Sequence, residues 1–141
     1  MDARELALSH GRSRIAFGAA FALVPGLAGR LWIGDDARRP AVKVVARALG
    51  VRDLAIGLGI VIALDHGAPV RGWLEAGALS DAVDLVATLA AGDSIPRGAR
   101  RGACVTATVG ALTCILLSRA LDKPLEPGEV QAPEAALTGH H

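Results

Sequence analysis

The sequence predicts an all-α protein: a four-transmembrane-helix bundle over residues 1–121, followed by a flexible polar tail over 122–141. Three observations carry that prediction. Charge-free apolar runs recur at 15–29, 54–64 and 102–118, and charges gather between them at 35–43, 65–71 and 93–101. Composition is 52% hydrophobic with a mean hydropathy of +0.41. Turn-forming clusters, Pro25-Gly26, Asp65-His66-Gly67-Ala68-Pro69 and the Pro96 segment, divide the apolar runs at helix-length intervals. Composition alone leaves a soluble Ala-rich helical bundle as the alternative, because the charge-free runs fall short of the ~18 residues of an unambiguous span.

The elements follow in order. A first helix is expected from about Arg12 to Val24 or on to Trp32, with a kink or an ending at Pro25, which has no N–H to donate. In the second version 25–32 is a short interfacial helix with Trp32 at the membrane boundary. Residues 34–40 form a charged loop. The second helix covers about 41–64 and the third about 70–91, with Trp73 near its start. A loop at 92–101 precedes a fourth helix over about 102–121. Beyond it, prolines and glutamates without apolar periodicity predict a disordered tail ending in His140 and His141. The opening MDARELALSHGRSR is too polar for the core of a cleaved signal peptide, so the first span is expected to insert as an uncleaved anchor.

Two of the helices carry charge at a depth where a lone charge costs roughly 2.5–3.5 kcal/mol on insertion scales. The second holds Arg47, Arg52 and Asp53; the third holds Glu75, Asp81 and Asp84. At 100° per residue Gly77, Asp81, Asp84 and Thr88 share one face of the third helix, flanked by Ser80. On the second helix Arg47, Gly50, Asp53 and Gly57 occupy a broader face, from which Arg52 points away. Small residues mark the remaining faces: Gly18, Ala22 and Gly26 on the first helix, and Thr106, Gly110 and Thr113 on the fourth. In lipid such residues let helices approach closely, inside one bundle or between two copies. The second and third helices are therefore expected to pair through Arg47 or Arg52 against Asp81 or Asp84.

Several function classes are excluded or left without support. A net charge of +1 and the lack of a basic stripe with interleaved aromatics argue against nucleic-acid binding. There is no Gly-rich phosphate loop with Lys, no His-Glu-x-x-His, no Cys-x-x-Cys and no serine elbow. Cys104 and Cys114 lie about 15 Å apart along one helix, too far for a disulfide, and read as small apolar residues. The histidines at 10, 66, 140 and 141 fall at expected helix ends or in loops, so no haem or quinone ligand is expected within a span, and no cofactor or metal is expected. Asp81 and Asp84 are spaced to ligate a divalent cation or to share a proton, but two aspartates at i, i+3 are common, and the further Asp pair of the CDP-alcohol phosphotransferases is missing.

What remains is a buried Arg/Asp network with three readings. The first is a register-fixing element of a scaffold or interaction protein. The second is a membrane-embedded enzyme on a lipophilic small molecule, with Asp53, Asp81 or Asp84 as acid–base groups and Arg47, Arg52 and Thr88 in the ligand site. The third is a proton or small-solute carrier. The expected partners are the lipid bilayer, a lipophilic small molecule under the second reading, and a second copy through the small-residue faces.

The stretch Ala48-Leu49-Gly50-Val51-Arg52-Asp53-Leu54-Ala55-Ile56-Gly57-Leu58-Gly59, with the first-helix proline and the acidic third helix, resembles small bacterial four-helix membrane proteins of unknown function, similar to the DoxX-like group. The resemblance covers about residues 10–120. It implies a multi-pass protein of the inner or plasma membrane and carries over no catalytic residue. Orientation stays open: six Lys/Arg on the side of the termini and the 65–71 loop face seven on the other side, too even for the positive-inside rule.

Overall fold

Asp2 and Glu5 start the first helix well ahead of its expected beginning. The computed structural model describes residues 2–122, without the side chains of Leu31 and Trp32. In it α1 spans Ala3–Leu23. The Glu5 N–H donates to the Asp2 carboxylate at 2.7 Å, and the Asp2 N–H donates to Glu5 at 3.2 Å. This capping box satisfies two orphan donors and sets the helix start. The expectation of a start at Arg12 is corrected accordingly, because polar residues at 2–14 supply a cap and an exposed face rather than a loop.

Pro25 ends α1, and two single-turn helices follow, α2 (Pro25–Ala28) and α3 (Arg30–Ile33), then a 3₁₀ turn at Gly34–Arg38. This matches the version with a separate short segment after Pro25. The boundary role expected of the Trp32 side chain lies outside the described residues. Next comes α4 (Pro40–Asp65), with proline at its first position, where no N–H is needed. A turn containing Gly67 at φ 65° leads to α5 (Arg71–Ala90). Gly92, at φ 52°, opens the 3₁₀ turn Gly92–Ser94 that leads to α6 (Arg97–Ala120). Both glycines sit where L side chains are strained. Helix α6 begins five residues before its expected start at Gly102, because Pro96 takes the cap position and Arg97–Arg101 wind as its first turn. Of the tail expected at 122–141, Asp122 is described and pairs with Arg71, and 123–141 lie outside the described residues.

The long helices form two close pairs, α1 with α4 and α5 with α6, with α4 also against α5. Glycine makes the first pair possible. A Cβ on Gly50 would lie 2.6 Å from the Ala22 nitrogen, and one on Gly57 would lie 2.6 Å from the Gly11 carbonyl oxygen. One on Gly18 would overlap the backbone of Leu54 and Gly50. The small-residue face of α1 is thus Gly11, Gly18 and Ala22 and is covered by α4; Gly26 belongs to α2, against Lys43, rather than to that ridge. Ala7, Ile56, Ile60, Leu74, Cys114 and Leu117 form the buried apolar cluster among the four helices.

Apolar residues also cover much of the outside. Leu23, Val44, Leu79, Val86, Val105 and Leu116 are each exposed by 63% or more. By length and apolarity only α6 among the described helices qualifies to cross a membrane, which is weak support for a membrane protein and does not establish four spans. Arg12 and Arg14 on α1, Arg47, Arg52 and Asp53 on α4, and Glu75, Asp81 and Asp84 on α5 lower the apolarity of the other three.

Candidate functional site

The candidate site begins with Arg14, half-way along α1, which is 6% exposed. Gly11 and Gly18 bring α1 so close to α4 that the side chain leaving the same face turns into the bundle. Its guanidinium is held on every nitrogen. Nη1 donates to Asp53 of α4 and Nη2 to Asp81 of α5. Nη2 also reaches the Gly77 carbonyl at 3.3 Å, and Nε donates to His10 Nε2 at 3.1 Å. Because Nε–H can only donate, His10 Nε2 is the bare ring nitrogen and a neutral His10 carries its proton on Nδ1. The Cys114 Sγ of α6 lies 3.2 Å from that same Nε2. One arginine thereby links α1 directly to α4 and α5, and through His10 to α6.

Space for the group comes from two glycines. A Cβ on Gly77 would lie 3.0 Å from Cys114 Sγ and 3.4 Å from Arg14 Nη2. A Cβ on Gly110 of α6 would overlap the Asp81 carboxylate. The expectation that small residues on these faces permit close approach holds here, and the group admitted at Gly110 is a carboxylate.

A second arginine extends the network towards the surface. Arg52 Nη1 and Nη2 donate to the two Asp84 oxygens at 3.1 and 2.6 Å, a bidentate pair. Nη2 also donates to Asp53 Oδ2 at 3.2 Å. Asp53 therefore bridges both guanidiniums, and three carboxylates face two cations. Two polar atoms, Arg52 Nε and Ser80 Oγ, are buried without a hydrogen-bond partner among the described residues.

The structure brings together Asp53, Asp81, Asp84 and Arg52, as helical spacing predicts, and the Arg52–Asp84 pair is one of the four that spacing allows. Arg47 is a correction. It is exposed and has no ion-pair partner among the described residues, since it sits 120° from Asp53 and α1 covers only the Gly50–Asp53–Gly57 side. The expectation that Arg52 points away from Asp53 is also corrected, because the long side chain curls back to the Asp53 carboxylate. Thr88 is buried further along α5, and no hydrogen bond joins it to the network among the described residues. Sequence reasoning missed Arg14, His10 and Cys114. With the first helix begun at Arg12, Arg14 counted as a flanking charge and His10 as lying outside the helix. The available signal was the surplus of buried acids over bases on the second and third helices.

Two hollows open on the surface of the bundle, and neither touches these carboxylates. One, of about 170 Å³, is apolar and lined by Phe21, Pro25, Ile33, Val42 and Leu49 among others. The other, of about 430 Å³ and open to the outside, lies along Leu58, Ile62, His66 and Trp73. Comparison with protein-family models, curated proteins and solved structures finds no match to this chain.

The Arg52–Asp84 pair yields a direct expectation. Arg52→Leu leaves Asp84 half-buried without its cation and should cost about 2 kcal/mol, less than a fully buried pair because Arg52 retains 33% side-chain exposure. Arg52→Leu combined with Asp84→Leu should cost less than the sum of the two single changes. Melting of the four proteins of this cycle in detergent checks it, and simple additivity argues against coupling.

Proposed function

We propose that this chain is a multi-pass membrane protein of the inner or plasma membrane, of the kind the DoxX-like resemblance implies. Its Arg/Asp network serves as the register-fixing element of a scaffold or interaction protein. The supporting observation is that Arg14, Arg52, Asp53, Asp81 and Asp84, five of the eight charges named above as lowering the apolarity of α1, α4 and α5, are turned onto one another. Arg12, Arg47 and Glu75 stay exposed. Arg14 meets Asp53 and Asp81, and Arg52 meets Asp84. With those groups paired inside, the outward faces carry residues such as Val44, Leu79 and Val86. The long helices measure about 30–39 Å at 1.5 Å per residue, against a hydrocarbon core of about 30 Å. Exposed apolar side chains on all four long helices suit a surface that meets lipid or a partner.

Engagement of both oxygens of Asp53 and of Asp84 by arginine supports the structural reading over acid–base chemistry at those two residues; Asp81 meets Arg14 through Oδ2. An acid or base needs a free lone pair or proton beside a substrate-sized space. Asp84 is taken up by a bidentate guanidinium, and Asp53 by two.

The first test is residence. The full chain should stay in the membrane fraction through high-salt and alkaline washing and leave it only with detergent, since apolar burial holds it. Recovery in the soluble fraction without detergent overturns the membrane reading. The second test concerns the role of the acids: Asp81→Asn should lower the melting temperature of the solubilised protein. Unchanged melting would remove the structural role.

A further inference from the structure

The two ends of the bundle differ in charge, and burial of Arg14 tips a balance that the sequence leaves nearly even. One end gathers α2, α3 and the starts of α4 and α6; there the Cβ position of Gly34 lies 3.9 Å from Pro96, and that of Gly26 lies 3.2 Å from Lys43 Cε. At the opposite end Arg4 Nη2 donates to the Leu64 carbonyl at 3.1 Å, and Arg71 pairs with Asp122. That second end loses Arg14 to the interior and keeps Arg4, Arg12, Arg71 and Arg119 among the described residues. The first end keeps every one of its bases and gains Arg47, which is exposed one turn beyond Lys43 and able to snorkel back.

At the first end four bases already face three acids. Arg30 and Arg38 face Asp35, Arg39 faces Asp36, and Arg100 faces Asp93, at 3.4–3.8 Å. Lys43, Arg47, Arg97 and Arg101 have no ion-pair partner among the described residues. They form two i, i+4 pairs, Lys43 with Arg47 on α4 and Arg97 with Arg101 on α6, each within the first two turns of its helix. At that spacing two cations sit on one face and can close on one phosphate. Apolar side chains adjoin both pairs: Val44 lies about 60° around α4 from Arg47, and Val105 lies one turn beyond Arg101, each at least 63% exposed. A cationic pair beside an exposed apolar strip complements an amphiphile rather than a free anion.

We propose that this end is a docking surface for anionic phospholipid headgroups, with the 30–47 and 97–101 segments against the anionic cytoplasmic leaflet and the described termini on the other side. The proposal rests on the membrane reading given above. Each Lys43–Arg47 or Arg97–Arg101 pair takes the headgroup phosphate, and the neighbouring valines take the start of the acyl chains. Anionic lipid then binds in preference to zwitterionic lipid, and salt weakens the preference.

The test uses the full chain purified in a neutral detergent, titrated with phosphatidylglycerol, with phosphatidylcholine and with inorganic phosphate, and read by native mass spectrometry. Phosphatidylglycerol should be retained about fivefold or more over phosphatidylcholine. The variant Lys43→Gln/Arg47→Gln/Arg97→Gln/Arg101→Gln should lose that preference, whereas Arg4→Gln/Arg12→Gln/Arg119→Gln at the opposite end should keep it. The two pair variants, Lys43→Gln/Arg47→Gln and Arg97→Gln/Arg101→Gln, give the same readout should the fourfold variant not fold. Equal retention of the two lipids, an equal loss in the opposite-end variant, or displacement of lipid by inorganic phosphate overturns the proposal. A chain that stays in the membrane fraction but shows no lipid preference refutes this docking surface alone. A chain found in the soluble fraction refutes the membrane reading beneath it.

Discussion

Arg14→Leu should destabilise the protein by about 3–5 kcal/mol, the largest loss expected from any single change in the network. The substitution removes one of two guanidiniums and leaves Asp53 and Asp84 on Arg52 alone, with no cation for Asp81. Asp81 is buried and loses its ion-pair partner, and the Gly77 carbonyl and His10 Nε2 lose their donor at the same time. Leucine cannot offset those losses, because the space beside Gly77 and Gly110 is shaped for polar groups. Lysine keeps one charge but has no fork to engage two carboxylates on two helices, so Arg14→Lys should recover only part of the loss. The variant Arg14→Leu/Asp53→Leu/Asp81→Leu should be more stable than Arg14→Leu itself, since no unpaired acid remains beside the leucine. Thermal melting in detergent measures all three, and an unchanged melting temperature for Arg14→Leu would remove the network from its structural role.

Gly18→Val should cost about 3 kcal/mol, at the upper end for overpacking, and should loosen α1 from α4 in particular. The added atoms would meet main chain on the facing helix rather than the end of a flexible side chain, so the neighbour has no rotamer with which to yield. Relief requires α1 and α4 to move apart, which also pulls Arg14 away from Asp53. Gly72→Val is the control, because nothing lies within 4 Å of a Cβ there. Paired cysteines across the α1–α4 seam, crosslinked in the parent and not in Gly18→Val, report the separation. A Gly18→Val protein that crosslinks and melts like the parent would show that the seam has room to spare.

Much of the helix plan could be read from punctuation. Pro40 and the 65–69 turn cluster bound α4, and the same cluster with Gly92 bounds α5, because these residues cannot continue a helix or favour leaving one. Helical spacing likewise placed Asp53, Asp81 and Asp84 on inward faces. It could not place Arg14. A capping box needs only two residues, Asp2 and Glu5, and its effect, nine further residues of helix before Arg12, has no apolar stripe to announce it. Arg47 shows a different limit. Spacing gives the angle between two residues on a helix but not which part of a broad face the neighbour covers, and α1 covers the glycine side. For Arg52 the reverse holds: a long flexible side chain reached a carboxylate that lies 100° away around the helix. The number of spans was not legible for a related reason. Apolarity counts every charge as a cost, and only the fold shows which charges are answered by others.

The position of Arg14 in the chain also bears on how the molecule is made. Synthesis proceeds from the N-terminus, so Arg14 emerges 39 residues before Asp53 and 67 before Asp81. For that interval a bilayer-inserted α1 would hold a cation with no acid to answer it, and a ribosome adding roughly 5–20 residues per second makes the wait several seconds. Under the proposed membrane reading, helix α1 would either linger at the membrane surface, where the polar residues Asp2, Arg4 and Glu5 favour it, or be held by the insertion machinery until α4 and α5 arrive. Helix α1, made before its partners, would in that case be among the last to settle.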